Sequence, residues 1–209
     1  MTSQQWKDRP IHEFLDKMGD GSPAPGGGAA AGLTGAQACA LAEMVCSLTL
    51  SNKNYKDVAS EAAEWKELCR SGQAIMLDLI DEDARNFLFL MEAIRLPKET
   101  DSEKESRKIV VQTALKKAIE APYQMADTMN DLLELFTTIL IKGNRNAITD
   151  AVIALQLAQA SMRASFLNIQ INLKSITDDF YKADIEGALK EWEKGITHVD
   201  AILTYQVKI

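Results

Sequence analysis

Residues 146–173, NAITDAVIALQLAQASMRASFLNIQINL, decide the fold class. The run holds no Gly or Pro, and between Ala151 and Leu173 its only charge is Arg163. It is too long for a strand and lacks period-2 alternation, so it reads as a helix. A helix that is apolar on most sides is surrounded by protein, so this one belongs at the centre of a bundle. The segments around it have the same character. Helical periodicity predicts helices over 11–18, 28–52, 58–94, 102–143, 146–173 and 179–205. Seven of the sixteen Gly and Pro residues crowd into GDGSPAPGGG (19–28), the clearest loop in the chain. Elsewhere breakers are sparse: Pro97, Gly143, and the turn around 175–179. The expected architecture is all-α, a bundle of about six helices in one domain over 1–209, several long and antiparallel.

Local signals set the expected ends. Leu96-Pro97 stops the third helix, because proline disfavours helix at the residue before it. Ser102-x-x-Glu105 fits a capping box for the fourth helix. Pro122 is expected to kink that helix, and Gly143 to end it in a left-handed cap. Thr177-Asp178-Asp179 is an N-cap cluster for the sixth.

Composition narrows function. The chain has 209 residues with 23 basic and 30 acidic side chains, a formal charge of −7. Nucleic-acid binders carry a basic footprint, so that class is disfavoured. Cys39, Cys46 and Cys69 are odd in number and lack paired spacing, which points to reduced thiols in a cytoplasmic protein. His12 and His198 stand near opposite ends, so a histidine metal site is not expected. The N-terminal MTSQQWKDRP has no apolar core of a secretory signal. The stretch 28–50 is long enough to span a bilayer, with Glu43 its only charge. It is built largely from Ala and Gly, however, and reads better as a buried helix packed through small residues. Gly28, Gly32 and Gly35 could equally form a seam between two copies.

Some residues stand where packing alone would not put them. At about 100° per residue, Asp83 points within about 20° of Met76, Leu90 and Ile94 and about 40° of Phe87. Asp81 points about 160° away, toward the polar side. A carboxylate on an apolar stripe is costly unless paired or functional, and burial raises its pKa toward the range of a general acid or base. A structural aspartate held by an Arg or a backbone amide is the other reading. Met76, Phe87 and Met91 are read as core. On the fifth helix, Asp150, Ser161, Ser165, Asn168 and Asn172 fall within about a 60° sector, either a ligand-facing stripe, an interhelical network or a polar dimer seam. The loop SPAPGGG opens directly into a helix, so its free amides and closely approachable backbone suit an anionic ligand or simply a tight turn. Lys53 with Lys56, and Arg95 with Lys98, are solvated surface or a dock for a polyanionic tail.

Four motifs in order carry a resemblance: GSPAPGGGAAA, LIDEDARNF followed by MEAIRLPKET, GNRNAITDA, and FLNIQINLKSITD. Together they resemble the formimidoyltetrahydrofolate cyclodeaminase and methenyltetrahydrofolate cyclohydrolase family, from about Ile11 to Asp179. The resemblance implies an all-helical homodimer that acts on a folate without metal or organic cofactor, here as the helical unit alone. It gives the catalytic role to the second acid of a D-x-D before A-x-x-F, which is Asp83. It implies that Ser22, Gly26, Gly27 and Gly28 of the loop, Asp150, Asn168 and Asn172 line the folate cleft. Lys53, Lys56, Arg95 or Lys98 could meet the glutamate tail. Cyclisation of 5-formimidoyltetrahydrofolate with loss of ammonia is the leading expectation. Hydrolysis of 5,10-methenyltetrahydrofolate is the alternative, and a non-catalytic folate-binding or scaffold protein the second.

Overall fold

A computed structural model describes residues 5–206; the first four residues of the N-terminus read above lie outside it. Six α-helices occur among the described residues: α1 Ile11–Gly19, α2 Gly27–Leu50, α3 Ala59–Ile94, α4 Asp101–Lys142, α5 Ile148–Leu173 and α6 Asp179–Gln206. Short 3-10 turns lie at Trp6–Asp8, Lys53–Val58 and Arg145–Ala147, and no strand is present among these residues. Helices α2, α3, α4 and α5 form an up-and-down bundle, with α6 laid against α4 and α5.

The helix that could span a bilayer by length and composition is α2, and its small residues are spent inside the protein. Gly28 faces Asp83, Gly32 faces Ile80, Gly35 faces Met76, and Cys39 faces Gly72, so α2 and α3 run antiparallel at close range. A Cβ on Gly32 would stand 2.8 Å from Ile80 Cγ1 and 3.1 Å from Met125 Cε. The glycines proposed above as a possible seam between copies are therefore an internal helix–helix seam. Across α2's other side, Ser161 Oγ donates to the Ala31 carbonyl at 2.8 Å, tying α5 to α2 with both groups buried.

Helix ends account for most departures from expectation. The sequence TDSEKE (100–105) offers two overlapping capping boxes, Thr100 with Glu103 and Ser102 with Glu105, and the earlier one is used. Thr100 Oγ1 accepts from the Glu103 amide at 3.2 Å, and Glu103 Oε2 accepts from Thr100 N at 2.8 Å and Glu99 N at 3.0 Å. The earlier frame gives Glu103 a second amide to satisfy and lets the helix begin sooner. Helix α4 continues through buried Pro122 without interruption. Gly143 ends it with φ −73° and ψ −178°, which is extended and not left-handed. The position suits glycine for another reason: a Cβ would collide with the Ile139 carbonyl. At α6, Asp178 Oδ1 accepts from Tyr181 N at 3.0 Å, the expected cap.

The three cysteines are buried and free. Burial pushes the Cys39 thiol up to about 12, and a hydrogen bond with Cys46, together with burial, raises Cys69 as well.

Candidate active site

At the end of the bundle where α2 begins, four helices and one loop leave a cleft of about 460 Å³. That volume lies within the usual range for small-molecule sites. Gly26, Gly27 and Gly28 form one lip, Asp83 and Phe87 of α3 a wall, Leu115 and Ala118 of α4 the opposite wall, and Asn168, Ile171 and Asn172 of α5 the second lip.

The loop owes its shape to its composition. Gly21 has φ +84°, a conformation open to glycine at little cost. Lys17 Nζ donates to Ser22 Oγ and to Asp20 Oδ2, and the Ser22 amide donates to Asp20 Oδ1 at 2.7 Å. These bonds brace the loop. Ser22 thereby supports the lip without lining the cleft. Gly28 is the position of closest approach: any Cβ there would collide with both carboxylate oxygens of Asp83. Gly27 sits beside Asn168, whose amide group would be 3.6 Å from a Cβ added there. The glycines thus bring the start of α2 against the acid on one side and the α5 amides on the other.

Asp83 is half-buried and stands among Phe87, Leu90, Met91 and Ile94, which follow it up the same face of α3. Removal from water pushes its carboxyl up to about 6, with the Ala29 amide at the α2 start pulling the other way. Among the described residues, no lysine, arginine, histidine or second carboxylate lines the cleft. Desolvation outweighs the Ala29 amide, and the acid is left at about 6, in the range a proton carrier requires.

Asn168 Nδ2 donates to the Ala164 carbonyl at 2.8 Å, and Asn172 Nδ2 to the Asn168 carbonyl at 2.9 Å. Both side chains are anchored to their own helix, which leaves their carbonyl oxygens to accept from a ligand. Ser175 extends this polar edge.

The structure separates the other expected site residues from the cleft. Asp150 begins α5 and Asn172 ends it, about 33 Å of helix apart. The lower part of the predicted α5 stripe is internal: Ser161 bonds across to α2, and Ser165 is buried with its hydroxyl unpartnered. Lys53 lies beyond the far end of α2, in the 3-10 turn after Leu50. Arg95 and Lys98 follow Ile94 at the cleft end, exposed, and neither lines the cleft.

Asp81 departs most from its expected place. It is 7% exposed, not solvated. Its Oδ1 accepts from Trp6 N at 2.7 Å and its Oδ2 from Lys7 N at 3.3 Å. The N-terminal turn covers it, with Trp6 packed edge-on against Phe14 at 6.2 Å. Two aromatic or thioether residues expected in the core, Phe87 and Met91, instead line the cleft, while Met76 is fully buried as expected. Phe87, Met91 and Ile171 are site residues that sequence reasoning missed as such. Their spacing from Asp83 and Asn168 was the available signal.

Comparison with known proteins bears on the family and the fold. The family model described as formiminotransferase-cyclodeaminase matches residues 10–191. A methenyltetrahydrofolate cyclohydrolase of Methylorubrum extorquens is 35% identical over 92% of this chain and 91% of its own length. A formimidoyltransferase-cyclodeaminase of Mus musculus is 31% identical over 86% of this chain, which spans only 33% of that longer protein. The crystal structure of a formiminotetrahydrofolate cyclodeaminase from Thermotoga maritima superposes with a TM-score of 0.82 at 31% identity, covering 92% of each chain.

Proposed function

The chain belongs to the formiminotransferase-cyclodeaminase family, and we propose that its cleft performs one-carbon chemistry on tetrahydrofolate with Asp83 as the proton carrier. The observation that carries this reading is one carboxyl, pushed up to about 6 by desolvation, alone among the titratable side chains of the described residues that line a cleft of about 460 Å³.

In the cyclodeaminase reaction, N10 of protonated 5-formimidoyltetrahydrofolate attacks the formimidoyl carbon. The N10–C bond forms and the C=N π pair moves to the terminal nitrogen. The Asp83 carboxylate takes the N10 proton as the tetrahedral carbon forms. Its acid form then returns that proton to the terminal amine, which leaves as ammonia while the 5,10-methenyl amidinium closes. One group near neutrality serves both transfers, because it gives up and accepts a proton at similar cost. Asn168 and Asn172 supply acceptors for the pterin edge, and the apolar wall of Phe87, Leu90 and Met91 receives its faces.

Hydrolysis of 5,10-methenyltetrahydrofolate is the second reading, favoured by the cyclohydrolase that matches this chain over nearly its full length. There Asp83 takes a proton from the water that adds to the same carbon and returns it to N5 as the C–N5 bond breaks, and the remaining hydroxyl proton is lost to solvent as the 10-formyl carbonyl forms. Both readings carry a homodimer, no metal or organic cofactor, and a cytoplasmic setting.

The test is turnover of each folate followed by the near-ultraviolet band of the methenyl form. Wild-type protein is expected to build that band from the formimidoyl compound with release of ammonia. If it instead only speeds decay of the methenyl compound, the hydrolase reading replaces the first. Asp83→Asn is expected to lower kcat by about 10²- to 10⁴-fold, and activity retained by that variant would overturn the assignment.

A further inference from the structure

Helix α1 and the turn before it stand outside the four-helix bundle, yet they reach the site from behind. Phe14, Ala29 and Ile80 form a small buried cluster that is separate from the main core. Trp6, Met18, Leu33 and Leu77 pack around it. Phe14 is the one buried residue of α1 among the described residues, so this helix is anchored through a single side chain. A latch in front of it keeps that side chain in. The Trp6 and Lys7 amides donate to Asp81, Lys7 Nζ donates to Asp78 Oδ1 at 2.6 Å, and the Trp6 ring stands edge-on to Phe14.

Ala29 gives this cluster its consequence. It is the third residue of α2, and Ala30 N donates to the Gly26 carbonyl at 3.0 Å to close the first turn of that helix. The Ala29 amide comes one residue before that bond, among the amides that a helix leaves without an internal acceptor. At 0% exposure it is also out of reach of solvent. A buried amide needs a partner within the protein, and Asp83 supplies it. The carboxylate stands where a Cβ on the adjacent Gly28 would be. Ala29 itself does not line the cleft; it is held in the cluster that Phe14 completes.

We propose that Phe14 is a positioning residue for the reaction of the cleft: it wedges the first turn of α2 so that the Ala29 amide stays on the Asp83 carboxylate, and the turn latched on Asp81 keeps the wedge in. The inference rests on the reading of Asp83 as the proton carrier. One amide counts for much there, because Asp83 shares the cleft with Leu115 and Ala118 of α4 and the neutral Asn168 and Asn172 of α5. Charged residues on the surrounding elements are engaged elsewhere. Lys7 pairs with Asp78, Lys17 with Asp20, Lys116 with Asp178 and Lys117 with Glu120, and the Arg9 guanidinium lies 4.3 Å from the Trp6 ring centroid. With the wedge in place the amide favours the carboxylate, the form that accepts a proton. Without it Asp83 keeps its apolar wall and loses its donor.

The test reads the Asp83 carboxyl directly, by carbon-13 NMR of the ligand-free full chain labelled at aspartate. Its signal is identified by its absence from Asp83→Asn. Phe14→Ala is expected to move the titration up by about one pH unit. Phe14→Leu keeps an apolar wedge and is expected to leave it nearly in place. Trp6→Ala loosens the latch without emptying the cluster and is expected to move it part of the way; it carries the test where Phe14→Ala does not fold. Ile196→Ala, at a fully buried position of α6, is expected to lower stability without moving the titration, which separates positioning from general loss of packing. In turnover, Phe14→Ala should lose about threefold in kcat/KM at about pH 6.5 and little at about pH 8.5. A titration that stays or falls in the wedge and latch variants, or one that rises equally in Ile196→Ala, would overturn the proposal. If the carboxyl moves as expected and the pH profile of turnover does not follow, the amide contact is as inferred and the proton-carrier reading is what fails.

Discussion

Two aspartates one residue apart on α3 occupy opposite environments. Asp81 is enclosed by the N-terminal turn and accepts two backbone amides from it, at 2.7 and 3.3 Å. Asp83 faces a cleft with apolar neighbours, and desolvation lifts its carboxyl to about 6. Burial alone does not make an acid functional. What separates the two is the number of donors: two backbone amides hold the Asp81 carboxylate in place, while Asp83 is left short of partners in a space open to a ligand. The first carboxylate holds the chain in place and the second is available for chemistry.

The largest effect of disturbing that arrangement, after loss of the Asp83 carboxyl itself, should come from Gly28. Its missing Cβ is the space that Asp83 occupies. Gly28→Ala forces either the carboxylate or the start of α2 to move, and misplacing a catalytic group by an ångström costs up to about 100-fold in rate. The expected result is a large fall in kcat with far-ultraviolet circular dichroism unchanged. Near-normal kcat would mean that the close approach of α2 to Asp83 is packing without consequence for the reaction.

Asp81 should break in the opposite sense. Asp81→Ala leaves the Trp6 and Lys7 amides without their acceptor in a part-buried setting, which costs about 1–3 kcal/mol. Denaturant unfolding should report that loss, with kcat changed much less than by Gly28→Ala. A variant as stable as wild type but catalytically dead would reverse the division of labour between the two acids.

The contrast also explains what could be read from the chain before folding. Asp83 was legible because helical phase set it among Met76, Leu90 and Ile94, a placement for which solvation offers no excuse. Asp81 was misplaced by the same rule. Amphipathic phase assumes that the polar side of a helix meets water, and here a turn some 75 positions earlier in sequence comes back to cover it. Helix spans were legible because Gly and Pro are rare and concentrated. Their caps were less so, since TDSEKE (100–105) contains two valid frames and only packing chooses between them. Asp150 shows a different limit. A motif announces that a residue matters but does not say where it ends up. Asn168 and Asn172 reach the cleft in their own chain, whereas Asp150 begins the same helix at its far end. Lys53 failed for the same reason, because α2 carries it the full length of the bundle away from the loop that precedes it.

The smallest and most discriminating effect concerns pH. The ordinary carboxyl value for Asp83 is 3.8 and its folded value is about 6, so folding favours the protonated form. Below pH 4 the group is protonated in both folded and unfolded chains and contributes nothing. As pH rises through 4 to 6 the unfolded chain releases the proton first, and stability falls. Above about 6 the penalty is constant, and partial access to solvent through the cleft limits it to about 1–2 kcal/mol. Asp83→Asn carries no charge at any pH, so it should be more stable than wild type by that amount at pH 8 and equal to it near pH 4. In wild type the same titration should appear in kcat/KM as a limb near pH 6, with activity lost on the acid side where the carboxylate is protonated. If Asp83→Asn gains no stability at pH 8, the acid is already compensated in the folded protein. Its raised pKa could not then be the reason it is suited to move a proton.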